Sequence, residues 1–225
     1  DIAIMHASLT QYTDKVSSRL LLIGKDIQAD GRTLILPDRK IDASECALIG
    51  EHNYLNLAVA CTIAEIYGIE EEQMKDAIRK FHPLAHRLQD LGENSSGIRF
   101  VNDSISTIGQ ACIQALESIE NVDVVLVGGK DRGIDYTDLE NYLSQSRVHV
   151  LLMYATGRRI AQEMQAKGLY RDGMEIVDDL KQAVTRAQQI CRKHHTVLLS
   201  PAASSYDHFK NFEERGEVFT RLAME

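Results

Sequence analysis

The sequence has no apolar run that approaches membrane-spanning length and no secretory signal. It has no C-x-x-C pair. Its four cysteines, Cys46, Cys61, Cys112 and Cys191, are scattered, which argues against a zinc knuckle or a redox motif. Free buried thiols in a reducing cytosol are the simpler reading. A basic excess is also missing: 25 Lys and Arg face 33 Asp and Glu, for a formal net charge of -8. That disfavours nucleic acid and anionic membrane as partners, though a local basic patch could still hold a small anion. Two phosphate signatures are absent as well. There is no G-x-G-x-x-G followed by an acid about twenty residues on, as a nucleotide-binding oxidoreductase would need. There is no G-x-x-x-x-G-K-[ST] loop either.

What is present is the composition of a soluble globular chain, 44% hydrophobic and 26% charged over 225 residues. That length holds one large domain or two modest ones. The N-terminal Asp1-Ile-Ala-Ile reads as the end of a strand, so a piece of a longer chain is expected. Residues 1–83 form a first block. Leu20–Gly24 and Arg32–Leu36 are short apolar runs, with the hairpin-type turn Asp30-Gly31 before the second. Gly50-Glu-His-Asn-Tyr-Leu-Asn56 opens a helix whose apolar residues Leu57, Ala60, Ala64 and Tyr67 recur near helical period, with Gly68 as C-cap. A second helix opens at Glu70 with acids at the positive end of its dipole and ends before Pro83.

The second block, 84–225, alternates strand and helix. Candidate strands are 98–101, 122–127, 148–154, 175–177 and 196–199. Candidate helices are 107–119, 136–146, 157–167, 180–194 and 207–223. Such alternation implies an α/β domain: a Rossmann-like, mostly parallel sheet flanked by helices on both faces. Ligands of these sheets bind at the carboxyl ends of the strands, and three strand ends here carry unusual loops.

The first loop is Asn102-Asp-Ser-Ile-Ser-Thr107. Asp103 can accept from ribose hydroxyls, and Ser104, Ser106 and Thr107 can cap the next helix or hold a carboxylate at its N-terminus. Plain capping accounts for one such residue but not for five polar residues in six. The second loop is Gly128-Gly-Lys-Asp-Arg-Gly133. Its glycines allow a tight exit from the strand, and Arg132 can bind a carboxylate bidentately; a solvated basic loop is the bland alternative. The third is Ser200-Pro-Ala-Ala-Ser-Ser-Tyr206, rich in free backbone N–H groups and hydroxyls. After it Phe209, Phe212, Phe219 and Leu222 fall at helical spacing. In the first block, Asn53 and Asn56 sit three apart on one helix face, and carboxamides suit an adenine edge or a ribose. His82 and His86 have no third ligand nearby, so no metal site is expected.

Taken in order, G-x-H-N-x-x-N at 50–56, His86-Arg87, Asn102-Asp-Ser, Gly128-Gly-x-Asp-Arg-Gly133 and the tail from Leu198 to Phe219 resemble the Mur ligases. These are the amino-acid-adding enzymes of peptidoglycan precursor synthesis, and the tail is most similar to their D-glutamate-adding member. The resemblance covers about residues 50–225; residues 1–49 match only loosely. It implies a remnant of the central ATP-binding domain over 1–83 and the C-terminal ligase domain over 84–225. It also implies an ATP- and Mg2+-dependent reaction in the full-length protein. There the carboxylate of UDP-N-acetylmuramoyl-L-alanine becomes an acyl phosphate and the amine of D-glutamate attacks it. By the same resemblance Thr107, Arg132, Ser205, Tyr206 and Phe212 would form the D-glutamate site. Asn53, Asn56, Arg87 and Asp103 would surround the adenosine. Rotation about 82–87 would close the site, and the protein would be monomeric and cytoplasmic, with neither nucleic acid nor membrane as partner. Two departures stand out. Ile105 replaces a Lys that many members carry, and Tyr206 replaces an aliphatic residue. Neither the P-loop nor the other central-domain groups that handle phosphate occur in the sequence, so no catalytic residue is assigned and the isolated chain is expected to be inactive.

A sister ligase would carry an Asp-Asn-Pro-Arg motif, which is absent, and the folate polyglutamate ligases lack this tail. Another Mur-type amino-acid ligase, or a non-catalytic binding module on a ligase-like fold, is the alternative.

Overall fold

A computed structural model describes residues 1–225 and divides them into two units, Asp1–Pro83 and Leu84–Glu225. In the first unit, β1 (Ile2–His6) is followed by a 3-10 helix (Ala7–Lys15) and by β2 (Arg19–Ile23), which pairs with β1 in parallel. Strands β3 (Gln28–Asp30), β4 (Thr33–Ile35) and β5 (Lys40–Asp42) form an antiparallel meander. The β3–β4 hairpin turns through Gly31 and Arg32, and Gly31 supplies the positive φ, 53°, that the turn demands. Helix α1 (Glu51–Ile66) packs on β3 and β4. Helix α2 (Glu71–Lys80) opens with a capping box in which Glu70 and Gln73 exchange side-chain-to-backbone bonds. Leu34, Ile41, Tyr54, Ala58, Met74 and Ile78 make the core of this unit.

The second unit is built on a six-stranded sheet. Strands β6 (Gln89–Glu93) and β7 (Arg99–Asn102) form an antiparallel pair at one edge. Helix α3 (Gly109–Ser118) leads to β8 (Val122–Gly128), α4 (Thr137–Gln145) to β9 (His149–Met153), and α5 (Tyr154–Ala166) to β10 (Met174–Val177). Helix α6 (Leu180–Ile190) then returns the chain to β11 (Thr196–Leu199), and α7 (Phe212–Met224) closes it. The strand order is β10-β9-β8-β11-β7-β6, parallel except for β6.

Right-handed crossovers place α3, α4 and α5 on one face and the returning α6, with α7, on the other. The strands show it by parity. Phe100, Val124, Leu126, Leu151, Val197 and Leu199 pack with Leu180, Ala187, Phe219 and Ala223. Their neighbours Val101, Val125, Val127, Val150, Leu152 and Leu198 face the opposite way and are equally buried. Gly157 lets α5 lie close on the sheet, because a Cβ there would come 2.6 Å from the Leu152 carbonyl carbon.

Several boundaries differ from the expectations of pattern. The tail helix starts at Phe212, not Asp207. Asn211 caps it by accepting from the Glu214 amide at 2.9 Å, while Asp207 takes a left-handed φ of 86°, outside the right-handed helical region. Helix α3 starts at Gly109, so Thr107 stays in the loop, and α5 begins three residues early, at Tyr154. Strand β6, with no apolar run, gave no strand signal. It exists because β7 offers it an edge.

Candidate functional site

Succession along the sheet reverses between β8 and β11. The chain leaves β8 through α4 toward β9, and leaves β11 through α7, which packs on β7. Loops diverging at such a point open a crevice at the carboxyl ends of the strands. Here the loops after β7, β8 and β11 meet at that edge. The Lys130 amide donates to the Ser204 carbonyl at 2.8 Å, and the Gly128 amide donates to the Pro201 carbonyl at 2.8 Å. The approach is close enough that a Cβ on Gly129 would fall 2.3 Å from the Ser204 oxygen. Only glycine fits there.

The β7 loop is buried through Ser104, and Ser106 is buried too. Asp103 accepts from Ser200 Oγ at 2.9 Å and from the Leu88 amide at 3.2 Å. Burial still dominates, and it pushes the Asp103 carboxyl up to about 6 although those bonds and the charge of Arg87 pull the other way. Its hydrogen-bonded oxygens keep further lone pairs for a donor such as a sugar hydroxyl. Arg87 is exposed, with its charge felt at Asp103. Asn102 Nδ2 donates to the Gly216 carbonyl at 3.0 Å and lies 3.1 Å from His86 Nδ1.

Neither Ser104 nor Thr107 caps α3, whose N-cap is Ile108. Ser104 Oγ instead donates to the Phe212 carbonyl at 2.7 Å. Ser106 Oγ is buried without a partner. The Thr107 carbonyl accepts from Arg132 Nη2 at 2.7 Å, so the structure brings those two predicted residues together across the β7 and β8 loops. Arg132 is otherwise exposed, which leaves the rest of its guanidinium able to meet an anion. Beside it, Asp131 pairs with Arg159 at 2.7 Å, and the Gly133 amide, helped by that pairing, holds its carboxyl below the usual range.

In the β11 loop Ser204 and Ser205 are 5% exposed, against 58% for Tyr206. The two serines are thus buried, and Tyr206 points its bulk to solvent. Ala202 holds a left-handed φ of 55°, and its carbonyl accepts from Tyr136 Oη at 2.8 Å. Lys130 pairs with Asp207 at 2.8 Å, and His208 stacks on Tyr154 at 4.0 Å. Phe212 is half-buried, edge-on to His86 at 6.3 Å.

In the first unit, Asn53 Nδ2 donates to the Ile49 carbonyl at 2.7 Å, leaving its oxygen as the open group, and Asn56 is exposed one turn on. Nowhere in the chain are three or more His, Cys, Asp or Glu placed to hold a metal ion.

One residue of the site escaped the sequence reading. Arg215 is fully buried at the base of the three loops. Its signal was its position: 215 falls between Phe212 and Phe219 on the apolar stripe of the tail helix, where a charge is out of place.

No family model matches the chain. It is 41% identical over 177 residues to UDP-N-acetylmuramoyl-L-alanine--L-glutamate ligase of a Micromonospora species, covering 76% of this chain and 38% of the relative. It is 33% identical over 193 residues to UDP-N-acetylmuramoylalanine--D-glutamate ligase of Caldanaerobacter subterraneus, covering 85% of this chain and 43% of the relative. The chain thus spans about two fifths of the length of these curated relatives. In fold it is similar to Mycobacterium tuberculosis folylpolyglutamate synthase complexed with ADP, with a TM-score of 0.69 at 11% identity over 100% of this chain and 55% of that one.

Proposed function

The chain belongs to the Mur ligase family, and from that premise we propose that it carries the amino-acid side of an ATP-dependent peptide ligase of peptidoglycan precursor synthesis. The amino acid is D-glutamate and the acceptor is UDP-N-acetylmuramoyl-L-alanine. The observation that carries the reading is the contact of Arg132 with Thr107, with Ser205 and Phe212 brought to the same strand edge by the tail loop.

A dicarboxylate needs cations and hydroxyls at two places. Arg132 and Thr107 receive one carboxylate, and the Ser205 loop with the flank of Phe212 receives the other. Tyr206 lies at the exposed rim. Held this way, glutamate presents its amine to an activated carboxyl, and fixing that orientation is the main catalytic contribution of such a pocket. The chemistry ATP supplies is activation of the acceptor carboxylate as an acyl phosphate.

In the second unit Arg87 with Asp103 is assigned to the adenosine; in the first unit, taken by itself, Asn53 with Asn56 offers the same chemistry. Open carboxamides and a carboxyl with spare lone pairs fit a nucleoside. The residues present do not fit its phosphates or a magnesium ion, because the chain has no P-loop sequence and no metal-holding cluster. This chain alone is therefore assigned binding without turnover. A magnesium-dependent ATPase or ligase rate from the purified 225-residue chain would overturn that assignment. No helix is long and apolar enough to cross a membrane, and we assign the protein to the cytoplasm as a monomer.

A second reading has its own support. The relative at 41% identity adds L-glutamate, so the enantiomer is the open specificity of the same pocket. Titration of the chain with D- and L-glutamate, read by backbone NMR, tests both. Shifts at Thr107, Arg132, Ser205 and Phe212 with the D isomer alone support the first reading, and with the L isomer alone the second. Equal response to both would mean an unselective anion site. Silence from both would remove glutamate from these residues.

A further inference from the structure

We propose that Arg215 is the positioning residue of the pocket, a buried guanidinium that holds all three strand-end loops in register. Its side chain comes from the first turn of α7 and is fully buried. Nε donates to Ser104 Oγ at 3.0 Å and Nη2 to the Ser104 carbonyl at 2.7 Å, so one edge of the fork clasps the β7 loop. Nη1 reaches the Ala203 carbonyl at 3.0 Å in the β11 loop. The β8 loop rests on the same group, where a Cβ on Gly129 would lie 3.1 Å from Nη1. Ser104 passes the order on, since its hydroxyl accepts from Arg215 and donates to the Phe212 carbonyl. Ala203 sits between the left-handed Ala202 and Ser204, whose carbonyl takes the Lys130 amide.

Every partner of Arg215 is neutral. A structural arginine in a core is ordinarily paired with a carboxylate, which repays part of its desolvation. Here burial pulls the guanidinium down to about 10, opposed only by the neighbouring Tyr154 phenol and by no carboxylate. A rigid planar fork with fixed donor angles can reach carbonyls on two separate loops at once, and an ammonium cannot. Three loops thus share one unneutralised cation directly beneath the place where anionic substrate groups are proposed to sit. The ligand arm of this inference rests on the glutamate reading above; the clamp itself does not.

Two variants of the full 225-residue chain test it, R215K and R215M. Amide hydrogen exchange is measured first. In R215M, exchange over 103–108 and 200–206 is expected to rise by about tenfold or more, with β9, β10 and α6 unchanged, and R215K is expected to recover part of the protection. A uniform rise across the second unit, or no change in the loops, would overturn the clamp. If R215M does not fold, R215K decides alone: loosening confined to the loops supports the proposal, and wild-type exchange overturns it. NMR titration with D- and L-glutamate follows, using the isomer that binds. An affinity about tenfold weaker in R215M and partly restored in R215K supports positioning with charge; equal affinity in all three proteins overturns it. If the wild-type chain binds neither isomer, the glutamate reading falls and the exchange result still judges the clamp.

Discussion

The two units differ in how many polar side chains they bury. In the first, the charges are paired at the surface: Arg39 with Glu65 and Glu71, Lys75 with Glu71, Lys80 with Asp76. Thr62 is its only buried polar residue. In the second, Asn102, Asp103, Ser104, Ser106, Ser200, Ser204, Ser205 and Arg215 are all buried around one edge of one sheet. Burying such groups costs free energy unless each finds a partner. Concentrating them there fixes the backbone of three loops, and fixed loops are what a binding pocket needs. The apolar cores show no such contrast, since both units fill theirs with aliphatic strands and helix faces.

The contrast is broken most severely by emptying the core under the polar edge. Phe219 is fully buried and packs edge-on against Phe100 at 6.0 Å. Phe219→Ala is expected to cost about 3–5 kcal/mol, with loss of near-native exchange protection in the second unit and little change at Tyr54 or Ile78 in the first. Equal loss in both units would mean that they do not unfold separately.

Asp103 gives the next largest effect, and it depends on pH. Its folded carboxyl stands at about 6, above the ordinary 3.8. A raised value means that the group supports folding below about pH 4, and that this support is lost as pH rises through about 6. At about 1.4 kcal/mol per pKa unit, the loss approaches about 3 kcal/mol. Asp103→Asn should flatten that descent in urea melts between pH 4 and 7, while lowering stability at pH 4 through the bond it forfeits from Ser200 or Leu88. A descent of the same depth in the variant would assign the titration to another group.

Arg132→Ala should leave the melting curve alone, because the side chain is exposed. It should weaken glutamate by about tenfold, roughly 1.4 kcal/mol. A change in melting without a change in affinity would reverse the roles given to the exposed and the buried cations. Smallest of all, Lys75→Ala in the first unit removes a surface pair with Glu71, and a melting curve indistinguishable from wild type is expected.

Much of the fold could be read from order and period. Thr196–Leu199 is a strand at the residues its apolar run marked, and Gly31 turns the hairpin its Asp-Gly announced. The errors fell where a local signal met a distant partner. Phe209 lies at helical spacing with Phe212, yet the segment before Asn211 is held by the Lys130–Asp207 pair and by the stacking of His208 on Tyr154. Within the site, Arg132 and Thr107 could be nominated from their loops, but nothing local said that they touch.

The sequence by itself determined the α/β alternation, the two-sided burial of the strands and the three polar loops at their ends, because period and turn chemistry act over a few residues. The tertiary structure alone decided which loops meet, why Asp103 holds its proton to about pH 6, and that Arg215 is buried. Those outcomes depend on desolvation and on bonds such as Arg215 to Ser104, whose partners are 111 residues apart in the chain.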